Sequence, residues 1–337
     1  MERIELSEER IDQMFENGDA FTWAKNVFNK VELSEEEKVF SEVVNDMVNQ
    51  AWKFGSTQAK ESIAQLVGKI IEPEVFSMPN EILAQIFDEG SYGEFDQVRI
   101  QKSPKNTLIA RQSAPRSGNV DKSYIDVAVG LAQEAHLQIE TELKMSDLRR
   151  DGALGVATLT MFAIEEFNRS KFQAVLNHVD SLVTAGGENY FTVTGALTKT
   201  AVDDFTGYLD DYCFEGNPEV VGLSSKIREL CKVSGVADFY SEMMKNDLNN
   251  LSMLKVYNGS YLVPIKDGKK NGAGQTLLSK QRLFGFAGKI GQMYTKGEMR
   301  TLVTNDNNNE TISLKFTGVE FGTFVDKLEK VAKIDIK

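Results

Sequence analysis

From Ser34 onward the apolar residues recur at helical spacing. Val39, Val43, Met47 and Ala51 fall four apart, with Phe40, Val44, Val48 and Trp52 beside them, so one stripe of a helix faces inward. Ser34 and Glu37 form a capping box at its start, where each side chain accepts a hydrogen bond from the other residue's free backbone N–H, and Gly55 marks its end. Ile63, Leu66, Val67 and Ile70 predict a second helix that stops before Pro73. Such helices need a surface to lie on. The arm they form is expected to dock on the body of the chain or on a neighbour.

The period changes after Asp96. DQVRIQK and NTLIARQS read as short strands joined through Ser103-Pro104-Lys105, and the turn-rich stretch SAPRSGNVDKS follows. Arg99, Arg111 and Arg116 stand along a segment too poor in apolar residues to make its own core, and a lone hairpin is only marginally stable. YIDVAVGL and HLQIETEL then alternate with period two, each predicting a strand with one buried and one wet face. Ser146 is placed to cap a helix running to about Leu182, with Leu148, Val156, Leu159, Ala163, Phe167, Val175, Val179 and Leu182 along one side. As one rod it would be ~55 Å long, several times the usual helix. Gly186-Gly187 ends it.

Beyond Asn189 helix and strand alternate to about Thr276. Ala201, Phe205, Tyr208 and Tyr212 mark a helix, Val220 and Val221 a strand, and Ser224 is expected to cap a helix through Cys231. Met253 to Ile265 predicts a hairpin around Asn258-Gly259, the dipeptide suited to a tight turn with positive φ at both positions. The polar loop KDGKKNGAGQ follows, and RLFGFAGKI, GQMYTKGEMRTLVT and ETISLKF return to strands, the last two linked by the Asn305–Asn309 tip. FGTFVDKLEKVAKI closes the chain, which shows no repeat of fixed period.

Charge narrows the functions this pattern can serve. The formal net charge is −12, from 50 acidic and 38 basic residues, which disfavours tight sequence-independent binding to DNA but permits a protein that encloses it. Cys213 and Cys231 are too few for a disulfide framework and are expected to be reduced thiols. The start, MERIELSEER, is acidic where a secretory signal is basic, and the longest uncharged stretch, Gly152 to Ile164, is shorter than the ~20 residues of a bilayer span. A cytosolic chain without a membrane partner is expected.

Catalytic motifs are missing. His136 and His178 have no metal-ligand spacing to each other or to a cysteine, and no GxSxG elbow occurs. KKNGAGQT lacks the GK[ST] ending of a phosphate cradle, and GFAGKIG misses the dinucleotide pattern and reads as turns between strands. The pairs Glu165-Glu166, Asp203-Asp204 and Asp210-Asp211 are adjacent in helices, where neighbours do not share a face, and read as solvated surface. No enzyme activity, cofactor or metal is expected.

The order of these parts resembles the major capsid protein of tailed bacteriophages, the Hong Kong phage capsid fold that encapsulin shells share. HLQIETELKMSDLRRDG, PEVVGLSSKIRELCK, KVYNGSYLVPIKDG and FGFAGKIGQMYTKGEMRTLVTNDNNNETISLKFTGVEFG carry the likeness, over about residues 72 to 337. The implied fold is α+β. It comprises a helical N-terminal arm (1–72), an extended β-hairpin or E-loop region (73–125), a peripheral (P) domain with a spine helix (126–187), an axial (A) domain (188–280), and return strands of the peripheral domain (281–337). The first 70 residues depart from the family's usual short extended arm.

The resemblance implies that copies assemble as hexamers and pentamers into an icosahedral shell around phage double-stranded DNA, bound without sequence specificity. Portal and scaffold or decoration proteins are the further partners it implies, and the virion is the destination of a chain made in the host cytoplasm. In such a shell the E-loop lies over a neighbouring subunit, and its basic residues would meet acidic surfaces there. On that basis Arg99, Lys102, Lys105, Arg111 and Arg116, Arg149 and Arg150 at the entry to the spine, and Lys269 and Lys270 in the axial loop are candidate interface residues. Lysine–asparagine crosslinks known in the family are not predicted, although Lys102, Lys105 and the Asn305–Asn309 tip contain the residue types. An encapsulin-type compartment around a cargo enzyme, and a cytosolic α/β enzyme with a carboxylate site, are the competing readings.

Overall fold

The computed structural model describes residues 8–54, 57–77, 81–93, 96, 98, 100–101, 129–130, 132–214, 216–233, 241, 244–246, 254–266, 278–279, 281–306 and 311–337. Four helices open the chain: α1 (Glu8–Glu16), α2 (Asp19–Phe28), α3 (Glu35–Phe54) and α4 (Thr57–Phe76). The capping box at the start of α3 is present, with Ser34 N donating to Glu37 Oε2 at 2.7 Å and Glu37 N donating to Ser34 Oγ at 3.3 Å. Trp23 is fully buried edge-on against Phe40, ring centroids 4.8 Å apart, and its Nε1 donates to Ser41 Oγ at 2.8 Å. This layer docks on the body of its own chain, sharing one core with the first half of the long helix and the sheet beneath.

Pro73 does not end α4 as expected. The helix runs on to Phe76 because its last carbonyls find partners far away in sequence. The Lys171 ammonium donates to Val75 O and, at 3.2 Å, to Ser77 O, while Thr295 Oγ1 donates to Phe76 O at 3.2 Å. A helix end so satisfied tolerates a proline in its last turn.

A short helix, α5 (Glu81–Ile86), leads into β1 (Phe87–Tyr92). Then β2 (Ile100–Gln101) pairs antiparallel with β3 (Val129–Gly130), Ile100 opposite Gly130. Of the expected strands NTLIARQS and YIDVAVGL, all but Val129 and Gly130 lie outside the described residues. The alternating HLQIETEL forms β4 (Gln133–Lys144), with Leu137, Ile139 and Leu143 turned toward the core and Gln138, Glu140 and Glu142 exposed.

The rod expected from Ser146 is two helices, α6 (Met145–Asp151) and α7 (Ala153–Leu182). Ser146 lies inside α6 and caps nothing; the N-cap is Lys144. The break is at Gly152, with φ 53° and ψ −128°, a conformation that suits glycine. Asn45 of α3 fills the gap: its Oδ1 accepts from Ala153 N at 2.8 Å and would lie 2.2 Å from any Cβ at position 152. The remaining 30 residues of α7 span ~45 Å.

Beyond it come β5 (Tyr190–Val193), α8 (Lys199–Tyr212), β6 (Glu219–Leu223), α9 (Ser224–Leu230), β7 (Val256–Tyr257) and β8 (Ser260–Ile265). Ser224 is the first residue of α9 and does not cap it; its Oγ donates to Ile265 O at 3.1 Å. The Asn258-Gly259 turn forms as expected, φ 48° and 82°. The chain ends with β9 (Arg282–Phe286), β10 (Gly291–Lys296), β11 (Arg300–Asp306), β12 (Thr311–Val325), a 3-10 turn (Leu328–Lys330) and β13 (Val331–Ile336).

Two sheets result. One has the order β1-β10-β12-β11, with β4 on the other side of β12; the second has the order β5-β13-β9-β6-β8-β7. Residues 281–337 therefore divide between the sheets, β10–β12 in the first and β9 and β13 in the second. The GFAGKIG turn joins a strand of each sheet, Ala287 N donating to Lys330 O and Ile290 N to Ile86 O, both at 2.8 Å. In β12 the register against β4 shifts between Phe316 and Val319, and Gly318 there has φ 90°. That bulge lets β12 change partner from β11 to β10 while staying beside β4.

Helix α7 serves both lobes. Its first half (Val156, Ala157, Ala163, Ile164, Phe167) belongs to the core beneath the N-terminal helices, and its second half (Phe172, Val175, Leu176, Val179) packs on Val221, Phe284 and Phe286 of the second sheet. Opposite, α8 and α9 cover that sheet with Phe205, Leu209, Ile227 and Leu230. Asp180 near the end of α7 clamps the junction, accepting from Arg282 Nη1 at 2.7 Å and from Lys333 Nζ at 2.9 Å. Asp335 accepts from Arg282 Nε and from the Tyr190 hydroxyl, each at 2.9 Å.

Candidate assembly surfaces

A protein that builds by contact shows itself in surfaces its own chain leaves incomplete. The clearest lies along β4. Among the described residues the 12-residue β4 pairs with β12 alone, so its other edge has no strand partner among them. Between β4 and the helices α6 and α7 runs a groove of about 630 Å3. Its walls are Ile139, Thr141, Glu142, Leu143 and Lys144 of β4, with residues of α6 and the first half of α7 opposite. No residue of β12 lines it.

The helix wall follows a four-residue column, Leu154, Thr158, Phe162 and Glu166, next to Gly155, Leu159 and Ala163. Phe162 is 52% exposed and Val31 is 54% exposed. Phe28 meets Phe162 edge-on at 5.7 Å between ring centroids. Around this apolar floor stand Glu142, Asp147, Asp151 and Glu166, against a single lining cation, Lys144. The groove is thus greasy at its base and acidic at its rim.

Of the candidate interface residues, Arg149 and Arg150 fall in the described part, both exposed on α6. Arg149 sits over the Trp52 ring, 5.1 Å from its centroid. Arg150 Nε lies 2.9 Å from Asp151 Oδ1, holding that carboxyl below the usual range, and Nη1 lies 3.5 Å from Asp147. Arg99, Lys102, Lys105, Arg111, Arg116, Lys269 and Lys270 lie outside the described residues. Sequence reasoning passed over Leu154 and Phe162 because they fall off the main stripe of the helix; their separation by two turns was the available signal.

The chemistry-bearing residues stay apart. His136 Nδ1 lies 3.2 Å from Glu320 Oε1 on the surface of the sheet, and burial lowers the pKa of His178 in α7. Cys231 is buried, its pKa raised by that burial. Asp203 accepts from the Tyr257 hydroxyl at 2.9 Å, and Asp204, Asp210 and Asp211 are exposed. Among the described residues no group of His, Cys, Asp and Glu could hold a metal ion, and no helix is long and apolar enough to cross a membrane.

A helical layer, a strand-rich lobe and a second α/β lobe sharing one long helix, with paired strands at the root of a 27-residue connection, make up the phage capsid fold, with its peripheral and axial domains. A family described as "SPbeta prophage-derived putative capsid protein YonB" matches residues 8–327, and the chain belongs to that family. The capsid of cyanophage P-SCSP1u is 10% identical, with 76% of this chain and 88% of that one aligned at a TM-score of 0.50. A Gordonia phage Cozz structure is 14% identical, over 76% and 85% at 0.51. A Microbacterium phage Oxtober96 structure is 11% identical, over 77% and 91% at 0.50. At such identities the likeness is one of fold. Comparison with curated proteins gives no match. Family and fold agree on a capsid shell protein, a component of the virion.

Proposed function

We propose that copies of this chain assemble as hexamers and pentamers into an icosahedral head shell that encloses phage double-stranded DNA. The match of a capsid family to nearly the whole chain carries this reading. The net charge of −12 fits a wall that contains DNA without gripping it. Closed shells multiply weak contacts, so no single interface needs high affinity. Scaffold or decoration proteins and a portal complete the partner set, and the subunit is made in the host cytoplasm before it enters the particle. The basic residues between Arg99 and Arg116, with Lys269 and Lys270, serve the subunit contacts.

Imaging of the purified full-length protein by negative stain tests the reading. Rings or closed particles are expected, with nuclease-resistant DNA in particles taken from lysed cells. A discrete small oligomer at high concentration would overturn the shell, and particles holding a protein cargo without DNA would overturn the genome container.

A further inference from the structure

The groove between β4 and α7 has the shape and lining to hold a helix. Its helical wall is a column of residues one turn apart, Leu154, Thr158, Phe162 and Glu166, with the small Gly155 and Ala163 beside it. Such a ridge, with a furrow next to it, is what a second helix packs into. From Leu154 to Glu166 the wall is ~18 Å long, about three helical turns. Leu154 and Phe162 stay 37% and 52% exposed, and the apolar floor continues past Phe162 onto the Phe28 ring.

Charge decides the kind of occupant. At one end of the groove Arg150 offsets Asp151 and Asp147, 2.9 and 3.5 Å away. Glu142 on the strand wall and Glu166 on the helix wall have no ion pair among the described residues, and Lys144 is the single lining cation. A carboxylate on each wall with apolar side chains between them suits a helix whose apolar stripe is flanked by lysine or arginine. Among the described residues the chain's own surface offers no such helix. Its other exposed large apolar residues are Val31 between α2 and α3, Phe214 just after Asp210 and Asp211, and Val256, Tyr261 and Leu302 on strands. We propose that the groove docks a cationic amphipathic helix supplied by a different protein, its apolar stripe on Leu154 and Phe162 and its cations toward Glu142 and Glu166. The proposal rests on the shell reading for its setting, in which that protein is another component of head assembly. The contact itself is tested on dissociated subunits.

The probe is a synthetic peptide of about 18 residues made of leucine and lysine, its leucines three and four apart, long enough to form a helix on a surface. Benzoylphenylalanine replaces one central leucine. Irradiated with full-length subunits, this peptide is expected to crosslink within residues 139–166. A peptide of the same composition with leucine and lysine alternating, the pattern of a strand, should bind about tenfold more weakly or worse. Phe162→Ser, and separately Glu142→Lys with Glu166→Lys, should each weaken binding of the helical peptide about tenfold or more. Asp204→Lys with Asp211→Lys, exposed on α8 and outside the groove, should change it by less than about twofold. Both charge reversals shift the net charge equally, so their comparison separates the groove from the general acidity of the chain. No binding, crosslinks only outside 139–166, equal binding of the alternating peptide, or equal losses from the two charge reversals would each overturn the docking site, whether or not particles form. Subunits that bind the helical peptide as expected yet never form rings or closed particles would overturn the shell and leave the site standing.

Discussion

The two sheets of this subunit solve opposite problems. In the second sheet, β6, β9 and β13 are buried on both faces, between α8 and α9 on one side and the end of α7 on the other. In the first, β4 alternates half-buried and exposed positions and, among the described residues, is paired on one side only. One lobe is closed on both faces by its own chain, the other less so, and aromatic residues in the two lobes should report the difference.

Phe205 is fully buried in the closed lobe, and its removal in Phe205→Ala should cost about 3–5 kcal/mol through lost transfer energy and the cavity left behind. Phe162, half in water, should cost under ~1 kcal/mol as Phe162→Ser when unassembled subunits are unfolded in urea. Equal losses at the two positions would erase the contrast, because Phe162 would then be as firmly packed as Phe205.

How far the sequence revealed this division depends on distance along the chain. The capping box of α3, the alternation of β4 and the Asn258-Gly259 turn were legible, because each is decided within a few residues. The end of α4 was not, since the donor that quiets its carbonyls, Lys171, lies about a hundred positions away. Nor was the break before α7, which needs Asn45. The partition of β9 and β13 into the second sheet depends on pairing with β6 and β5, which periodicity within a strand does not encode. The groove fared similarly: its acidic wall exists only once β4 and α7 lie side by side.

Lys171 sharpens the comparison at the point where α7 passes from one lobe to the other. Burial pulls its pKa down from 10.5 to about 8, opposed by the Glu89 carboxylate, while the carbonyls of Val75 and Ser77 accept from it. Between pH 8 and 10.5 the unfolded chain therefore binds more protons than the folded one, so stability should rise with pH across that window. The gain is on the order of 3 kcal/mol at most. In Lys171→Met this contribution disappears. Subtracting the variant's urea-unfolding curve from that of the wild type at each pH isolates it, and a flat difference from pH 8 to 10.5 would refute the buried charge.

The clamp between lobes is next in size. Asp180→Asn keeps the shape but leaves Lys333, 6% exposed in its side chain, without its nearest carboxylate; Asp335 stands 4.0 Å away. A loss of about 2 kcal/mol is expected, reduced from the value for a fully buried pair because Arg282 is 37% exposed and water screens its share. Thermal unfolding of dissociated subunits would show it. A loss confined to assembly, with subunit stability intact, would mean that the cluster serves a neighbour instead.

A smaller effect than the clamp's concerns the start of α7, where the N-terminal layer supplies a cap to the long helix. Asn45→Ala removes the acceptor of Ala153 N and should cost about 1 kcal/mol, the ordinary worth of a helix cap. Gly152→Ala should cost more, because alanine resists φ 53° and its Cβ meets Asn45 Oδ1. The two losses should not add. Once Asn45 is gone the clash at 152 is relieved and only the backbone strain remains, so the double variant should be more stable than the sum of the singles by several tenths of a kcal/mol or more. Strict additivity in a double-mutant cycle would show that Asn45 does not sit over Gly152 in solution. The break in the spine would then be a property of the glycine alone, owing nothing to the N-terminal helices.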